Sequence, residues 1–310
     1  ETSPIGRNME NDLSLGAAWM NGTVIPISQA AIPVNDWGLV HSDITYDVVP
    51  VIDGAFFRFD EYLARFLSSM ENLHLDPGMS KRDIKAALHQ MVSKSRLRDS
   101  YVAMVCSRGK PKIAGSRDPR DCENHFFAWC VPYVHIIKPE IVEQGATAWI
   151  AQNAYRIPEN SVNPRVKNYH WGDFTQGIFE AKDKNYETVI LLDYDGNVTE
   201  GPGFNVFAVK DKVLITPDRG VLAGVSRKTV LEMAEHLGIN TSVRSLSVEE
   251  LLEADEVFLS SSGGGVIPII RVNETIFGNG ASGPISVKLN ETYWKWTTLE
   301  KYRDPIDYAL

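Results

Sequence analysis

Two short loops, one lysine and one glutamate carry the residue types that could do chemistry. Gly224-Val225-Ser226-Arg227 stands between a strand pattern and a helix pattern. Backbone N–H groups without a helical partner, backed by the helix dipole, favour an anion such as phosphate at such a place. Ser260-Ser261-Ser262-Gly263-Gly264-Gly265 follows a strand and combines hydroxyls with unhindered N–H groups that can form an anion nest. Each loop also has a plain local reading, Ser226 as a helix N-cap and the glycines as a turn. Neither is a Walker loop or a dinucleotide fingerprint. Lys167 follows the constrained extended run Asn163-Pro164-Arg165-Val166, with Trp171 and Phe174 close behind. A lysine drawn out of water loses part of its preference for the charged form and can make a Schiff base. The same position suits a surface lysine ahead of a helix. Glu200, before Gly201-Pro202-Gly203, reads either as a working carboxylate or as an exposed strand end. The seven histidines show no metal-ligating spacing, so no metal is expected, and His41 reads as a satisfied loop histidine.

The elements that must position these groups begin with two hairpins. Ala17 to Met20 and Thr23 to Ile25 flank Asn21-Gly22, and Val48 to Ile52 and Ala55 to Phe59 flank Asp53-Gly54. Asp60 is placed to cap a helix whose apolar face is Leu63, Phe66, Leu67, Met70 and Leu73. Ser80 with Asp83 opens the next helix as a capping box. Tyr101 to Cys106 and Phe126 to Tyr133 read as strands. The polar segment between them, Gly109 to Asn124, is long for a hairpin loop and carries Arg117 and Arg120. Ile136 to Gly145 reads as a linker. Beyond it, Ala146 to Gln152 and Thr188 to Leu192 are strand-like, with a helix between them marked by Trp171, Phe174, Ile178 and Phe179. Asp195-Gly196 is a turn, Asn205 to Val209 a strand, and Ser226 opens a helix that stops at Gly238. Ser247 with Glu250 is a second capping box, Val257 to Leu259 a strand, and a last helix starts near Ile285. Helices and strands mix without a steady βαβ rhythm, which favours an α+β fold. The expected division is a small N-terminal domain over 1–135, a linker over 136–146 and a larger domain over 147–310.

Composition narrows the classes. The chain has 310 residues, 44% hydrophobic and 23% charged, an ordinary globular mix that excludes bulk disorder. The net charge of −9, with no basic cluster, argues against a nucleic-acid or anionic-membrane partner. No apolar run approaches the roughly 18 residues of a membrane span, and Glu1 to Gly16 lacks the apolar stretch of a signal peptide. Three cysteines, an odd number without metal spacing, read as free thiols in a reducing cytoplasm.

Six ordered motifs, read together, resemble the class IV, fold-type IV pyridoxal-phosphate aminotransferases. Asn35-Asp36-Trp37-Gly38-Leu39-Val40-His41-Ser42-Asp43 resembles the family's early Asp-x-Gly loop. Arg58-Phe59-Asp60-Glu61-Tyr62-Leu63-Ala64-Arg65 resembles the helix with the phosphate-binding arginine. Pro164-Arg165-Val166-Lys167-Asn168-Tyr169 with Trp171-Gly172-Asp173 resembles the Schiff-base lysine segment, and Thr199-Glu200-Gly201-Pro202-Gly203-Phe204-Asn205 the glutamate signature. Leu222 to Arg227 and Ala254-Asp255-Glu256-Val257 complete the set. Within the family, His41-x4-Tyr46-x-Val48 and the run from Val166 to Asp173 are most similar to (R)-selective amine transaminases. Two departures stand out. Gly172 lies where branched-chain members carry a tyrosine, and Ser261-Ser262 stands where (R)-amine enzymes show two threonines.

The resemblance implies a two-domain α+β enzyme, a small N-terminal α/β domain and a barrel-like larger one, with pyridoxal 5'-phosphate in the cleft. It implies that Lys167 holds the cofactor as a Schiff base and shuttles the substrate proton, through a pyridoxamine phosphate intermediate. Glu200 would face the pyridine nitrogen. Arg65, Val225, Ser226, Ser261 and Ser262 would hold the phosphate. His41, Tyr46, Val48 and Arg117 would meet the substrate, with Arg120 as the near alternative to Arg117. The implied reaction moves an amino group from an (R)-amine or D-amino acid to a keto acid such as pyruvate, in a cytoplasmic homodimer. The rival readings are a D-amino-acid or branched-chain aminotransferase, an aminodeoxychorismate-type lyase and a non-catalytic phosphate-ligand module.

Overall fold

The computed structural model describes residues 12–309. The part of the leader reading that falls on residues 1–11 lies outside the described residues. The chain forms two compact units that interleave in sequence. Unit 1 runs to Val134 and also takes Val166–Tyr169 and the chain from Glu300. Unit 2 is His135–Arg165 with His170–Leu299.

Unit 1 holds β1 (Ala17–Met20), β2 (Thr23–Pro26), α1 (Trp37–Val40), β3 (Ile44–Ile52), β4 (Ala55–Phe57), α2 (Phe59–Asn72), α3 (Lys81–Ser95), β5 (Ser100–Pro111) and β6 (Cys122–Pro132). The C-terminal strand β16 (Arg303–Pro305) closes one edge of an antiparallel sheet in the order β16-β4-β3-β5-β6-β1-β2. The two hairpins form around Asn21-Gly22 and Asp53-Gly54, and the Ser80–Asp83 capping box is present. Helix α2 starts earlier than the Asp60 cap predicts. Arg58, at φ 55°, is its N-cap and donates its N–H to the Tyr302 carbonyl at 2.8 Å, which leaves Asp60 in the first turn. The β5–β6 hairpin is also longer than its polar composition suggests. A register shift between Ser107 and Lys110 lets pairing resume at Lys110–Glu123 and Pro111–Cys122. The connecting loop is therefore 112–121 rather than Gly109 to Asn124.

Unit 2 holds α4 (Pro139–Gln144), β7 (Ala146–Tyr155), α5 (Gly172–Asp183), β8 (Thr188–Leu192), β9 (Glu200–Gly201), β10 (Phe204–Lys210), β11 (Val213–Thr216), α6 (Val225–His236), β12 (Thr241–Val243), α7 (Val248–Leu252), β13 (Glu256–Ser261), β14 (Gly265–Val272), β15 (Thr275–Ile276) and α8 (Pro284–Trp296). The sheet runs β12-β11-β10-β13-β14-β7-β8, with β9 on β10 and β15 on β14. Its pairs are antiparallel except β11–β12, β14–β7 and β7–β8. The stretch read as a linker, Ile136 to Gly145, carries α4. Ile137 is buried in this unit's core, and the Ile136 N–H donates to the Gly263 carbonyl at 2.8 Å. Both units mix helices with largely antiparallel sheets, an α+β architecture. Among the described residues no helix is long and apolar enough to cross a membrane, and no cluster of His, Cys, Asp and Glu could hold a metal ion.

All three cysteines are free thiols. Burial pushes the Cys106 thiol up to about 12 and raises that of buried Cys130 as well. Cys122 is the least buried of the three. A thiol reagent at mildly alkaline pH is thus expected to titrate no more than one thiol in native protein, lost in Cys122→Ser, and all three in denaturant. Rapid labelling of a second native thiol would contradict this packing.

Candidate functional site

In unit 1 a four-residue segment docks on β3 and carries Lys167. Thr45 Oγ1 donates to the Lys167 carbonyl at 2.6 Å, Thr45 and Asn168 form an antiparallel bridge, and the Lys167 N–H donates to Ser69 Oγ at 3.4 Å. Lys167 Nζ lies 4.6 Å from the centre of the Tyr46 ring, a cation–π distance. Tyr46 in turn stacks on Tyr169, with centroids 4.0 Å apart and planes 10° from parallel. Alternation along β3 puts Ile44, Tyr46 and Val48 in one cluster with Ala103 and Val105, against which Tyr101, Phe127, Trp129 and Tyr169 pack. Burial raises the pKa of both Tyr101 and Tyr169, so they stay neutral phenols at physiological pH. Next along β3, Asp47 takes a two-pronged bond from Arg65 on α2, with Nε to Oδ2 at 2.7 Å and Nη2 to Oδ1 at 2.6 Å. Burial pulls the Arg65 pKa down, but the charge of Asp47 and its hydrogen bonds outweigh it, and the net shift is upward.

In unit 2 the Glu200 carboxylate is buried and held from two sides. Oε1 accepts from Arg156 Nε at 3.2 Å and Nη2 at 3.1 Å, and Oε2 accepts from the Leu222 N–H at 2.9 Å. Arg156 also bonds Asp173 Oδ2 at 2.7 Å and lies 4.3 Å over the Phe174 ring. Gly201 follows Glu200 because a Cβ there would sit 2.3 Å from the Val189 carbonyl. Gly224, rather than Ser226, is the N-cap of α6, and its Cβ would sit 2.3 Å from Asn205 Oδ1. Ser226 thus lies in the first turn, buried, with its hydroxyl 3.4 Å from that of Ser262. A hydroxyl pair at the start of a twelve-residue helix is a ready anion cup. Ser261 differs from its neighbour. Its hydroxyl donates to the Gly203 carbonyl at 2.8 Å and accepts from the Gly263 N–H at 3.0 Å, so it is committed to holding the turn.

The structure therefore groups Lys167 with Tyr46, Val48 and the Arg65–Asp47 pair in unit 1. In unit 2 it groups Glu200 with Arg156, and Val225 and Ser226 with Ser262. His41 ends α1 with its ring against Trp37 at 4.6 Å. Arg120 is locked on Asp118, whose carboxyl its hydrogen bonds pull down to about 2. Arg117 is exposed, and no hydrogen bond or ion pair holds its side chain among the described residues. Sequence reasoning missed Arg156, Asp47 and Thr45. None of them stands at a spacing that marks it, because each acts through a partner at least 17 residues away along the chain.

Comparison with known proteins gives one family. The model of class IV amino-transferases matches residues 45–272. The D-alanine aminotransferase of Bacillus licheniformis is 29% identical over 273 residues, covering 86% of this chain and 92% of that protein. The branched-chain-amino-acid aminotransferase of Escherichia coli K12 is 25% identical over 285 residues, covering 89% and 91%. A branched-chain amino acid aminotransferase from T.th., solved with pyridoxamine 5'-phosphate, shares the fold, with TM-score 0.88 over 94% of this chain and 99% of that one at 24% identity.

The Arg156 cluster generates a stability prediction. Removing one partner from a buried ionic group leaves charge unpaired and costs about 3–5 kcal/mol. Arg156→Met is expected to lose that much in urea unfolding, and Arg156→Met with Glu200→Gln and Asp173→Asn to recover a large part of it. A triple variant no more stable than the single one would show that packing, not charge pairing, is what Arg156 supplies.

Proposed function

The chain belongs to the class IV aminotransferases, and from that premise we propose that it is an (R)-selective amine transaminase. It takes an amino group from an apolar (R)-amine or a D-amino acid and passes it to a keto acid such as pyruvate. Class IV aminotransferases work with pyridoxal 5'-phosphate. The residues fit that group: the Ser226–Ser262 hydroxyl pair in the first turn of α6 suits a phosphate, and the buried Glu200 carboxylate suits a ring nitrogen. When bound, the cofactor supplies an electron sink for the carbon that loses its proton. Lys167 would carry it and would move that proton at Nζ, which stands over the Tyr46 face. As the family resemblance implies, Arg65, Val225, Ser226 and Ser262 would hold its phosphate, and Ser261 would contribute by shaping the turn.

One observation carries the substrate reading: among the described residues no hydrogen bond or ion pair holds Arg117, while Arg120 bonds Asp118. A site that accepts an apolar amine and then a carboxylate must not keep an unneutralised guanidinium buried beside the first substrate. The surroundings of Lys167 are aromatic and aliphatic, and Arg65 there is balanced by Asp47. An unpaired arginine on an exposed loop can swing in for the carboxylate and out for the amine. His41, Tyr46 and Val48 line the amine side. The names of the relatives favour a second reading, a D-amino-acid or branched-chain aminotransferase with the same chemistry and a different pocket. The family resemblance supports a homodimer, and the three free thiols suit a reducing cytoplasm.

The test is a half-reaction panel of amines and amino acids, both enantiomers, followed by the cofactor spectrum. The expected order puts apolar (R)-amines first. Faster reaction of branched-chain L-amino acids would replace this reading with the second, and pyruvate release without an acceptor would identify a lyase. Lys167→Ala is expected to abolish both cofactor attachment and turnover. Glu200→Gln should bind cofactor yet turn over more slowly by a factor on the order of 100. Arg117→Ala should raise the KM for pyruvate about tenfold, one charge-assisted hydrogen bond's worth, and spare the amine half-reaction. Equal loss with both substrates would mean loop damage instead.

A further inference from the structure

The turn that ends in His41 is a single helical turn with exposed Leu39 and Val40, too short to hold itself. What holds it is a bulge in the β5–β6 hairpin. Pairing shifts register between Ser107 and Lys110, and Gly109 takes φ +74° where a Cβ would lie 1.9 Å from the Glu123 carbonyl. Arg108, released from the ladder, donates its N–H to the Asp43 carbonyl at 3.0 Å. Its guanidinium bonds the Asp43 carboxylate at 2.8 and 3.0 Å and the His74 carbonyl at 2.9 Å. That pins the end of the turn.

Asp36 pins the start. Its carboxylate is 1% exposed, and Oδ1 accepts from the Gly38 N–H at 2.8 Å and from Ser107 Oγ. Oδ2 lies 2.6 Å from His125 Nε2, on the β6 residue that pairs with Ser107. Gly38 rests directly on the strand, since a Cβ there would meet Ser107 Oγ at 2.2 Å. Between the two pins, the His41 N–H donates to the Trp37 carbonyl at 3.0 Å, and its ring leans on Trp37.

We propose that Ser107, Arg108 and His125 are positioning residues that fix the Asp36–Asp43 turn on the hairpin bulge and so set the place of the His41 imidazole. The inference rests on the reading that His41 meets the amine substrate. A side chain placed beforehand has little freedom left to lose when substrate arrives, so the latch acts on binding more than on turnover.

The test uses holoenzyme with His125→Ala, His125→Gln, Ser107→Ala, His41→Ala and the His41→Ala/His125→Ala pair. Amide hydrogen exchange over 37–43 and steady-state kinetics with an apolar (R)-amine are read together. His125→Ala is expected to speed exchange at His41 and Asp43 about tenfold, the loss of one partly buried hydrogen bond to a carboxylate, with Ser107→Ala acting in the same direction. It should raise the amine KM by a similar factor and leave kcat within about twofold. His125→Gln, which keeps a donor, should restore most of both. The double variant should be no worse than His41→Ala alone. Unchanged exchange in His125→Ala overturns the latch, and additive losses in the double variant overturn its action through His41. If His41→Ala leaves the amine KM unaltered, the substrate reading of His41 fails, and the exchange data still decide whether the latch exists.

Discussion

A charge taken out of water must meet an opposite charge, and that requirement organises the chemistry-bearing parts of both units. Desolvating a lone carboxylate or guanidinium costs more than any nearby apolar packing returns. Glu200 is tolerable in its buried place because Arg156 faces one oxygen and a backbone N–H the other. Arg156 is tolerable because Asp173 shares its charge and Phe174 covers its flat side. Asp47, fully buried, exists at the centre of β3 only with Arg65 beside it. These pairs do more than balance charge. A two-pronged guanidinium–carboxylate bond fixes angle as well as distance, so Arg65 and Glu200 are oriented as well as neutralised.

Lys167 is handled differently. Its backbone is fixed, by the Thr45 hydroxyl on its carbonyl and the bridge to Asn168. Its ammonium then lies over an aromatic face. An aromatic face steadies a cation without neutralising it and offers no proton acceptor of a carboxylate's strength. Tyr169 braces that face, which gives a purpose to a tyrosine standing two positions after the lysine.

The same physics separates the two loop arginines. Arg120 has an acid two residues before it and collapses onto it. With Asp118 so engaged, Arg117 keeps no hydrogen bond or ion pair among the described residues. A difference of one partner decides whether a loop guanidinium is engaged locally or left without a hydrogen bond among the described residues. The bulge at Gly109 shows the complementary case, where irregular backbone frees Arg108 from the ladder and turns it into an anchor for a segment 65 residues away.

The features legible in the sequence are those whose cause lies within a few residues. Asn21-Gly22 and Asp53-Gly54 specify tight hairpins by their own dihedral freedom, and Ser80 with Asp83 and Ser247 with Glu250 close capping boxes over three positions. The ordered motifs likewise carry the family, because a family signature is a statement about order along the chain. Where local composition misled, a distant group intervened. The Tyr302 carbonyl moved the start of α2 away from an Asp60 cap, and the Gly109 bulge lengthened a hairpin that polar residues had marked as loop. Only the tertiary structure could pair Arg156 with Glu200 across 44 residues, join Asp36 to His125 across 89, and commit the Ser261 hydroxyl to Gly203 across 58. Those choices follow from strand register and helix placement, and a long-range partner is set by where the backbone brings two side chains, which no local spacing encodes.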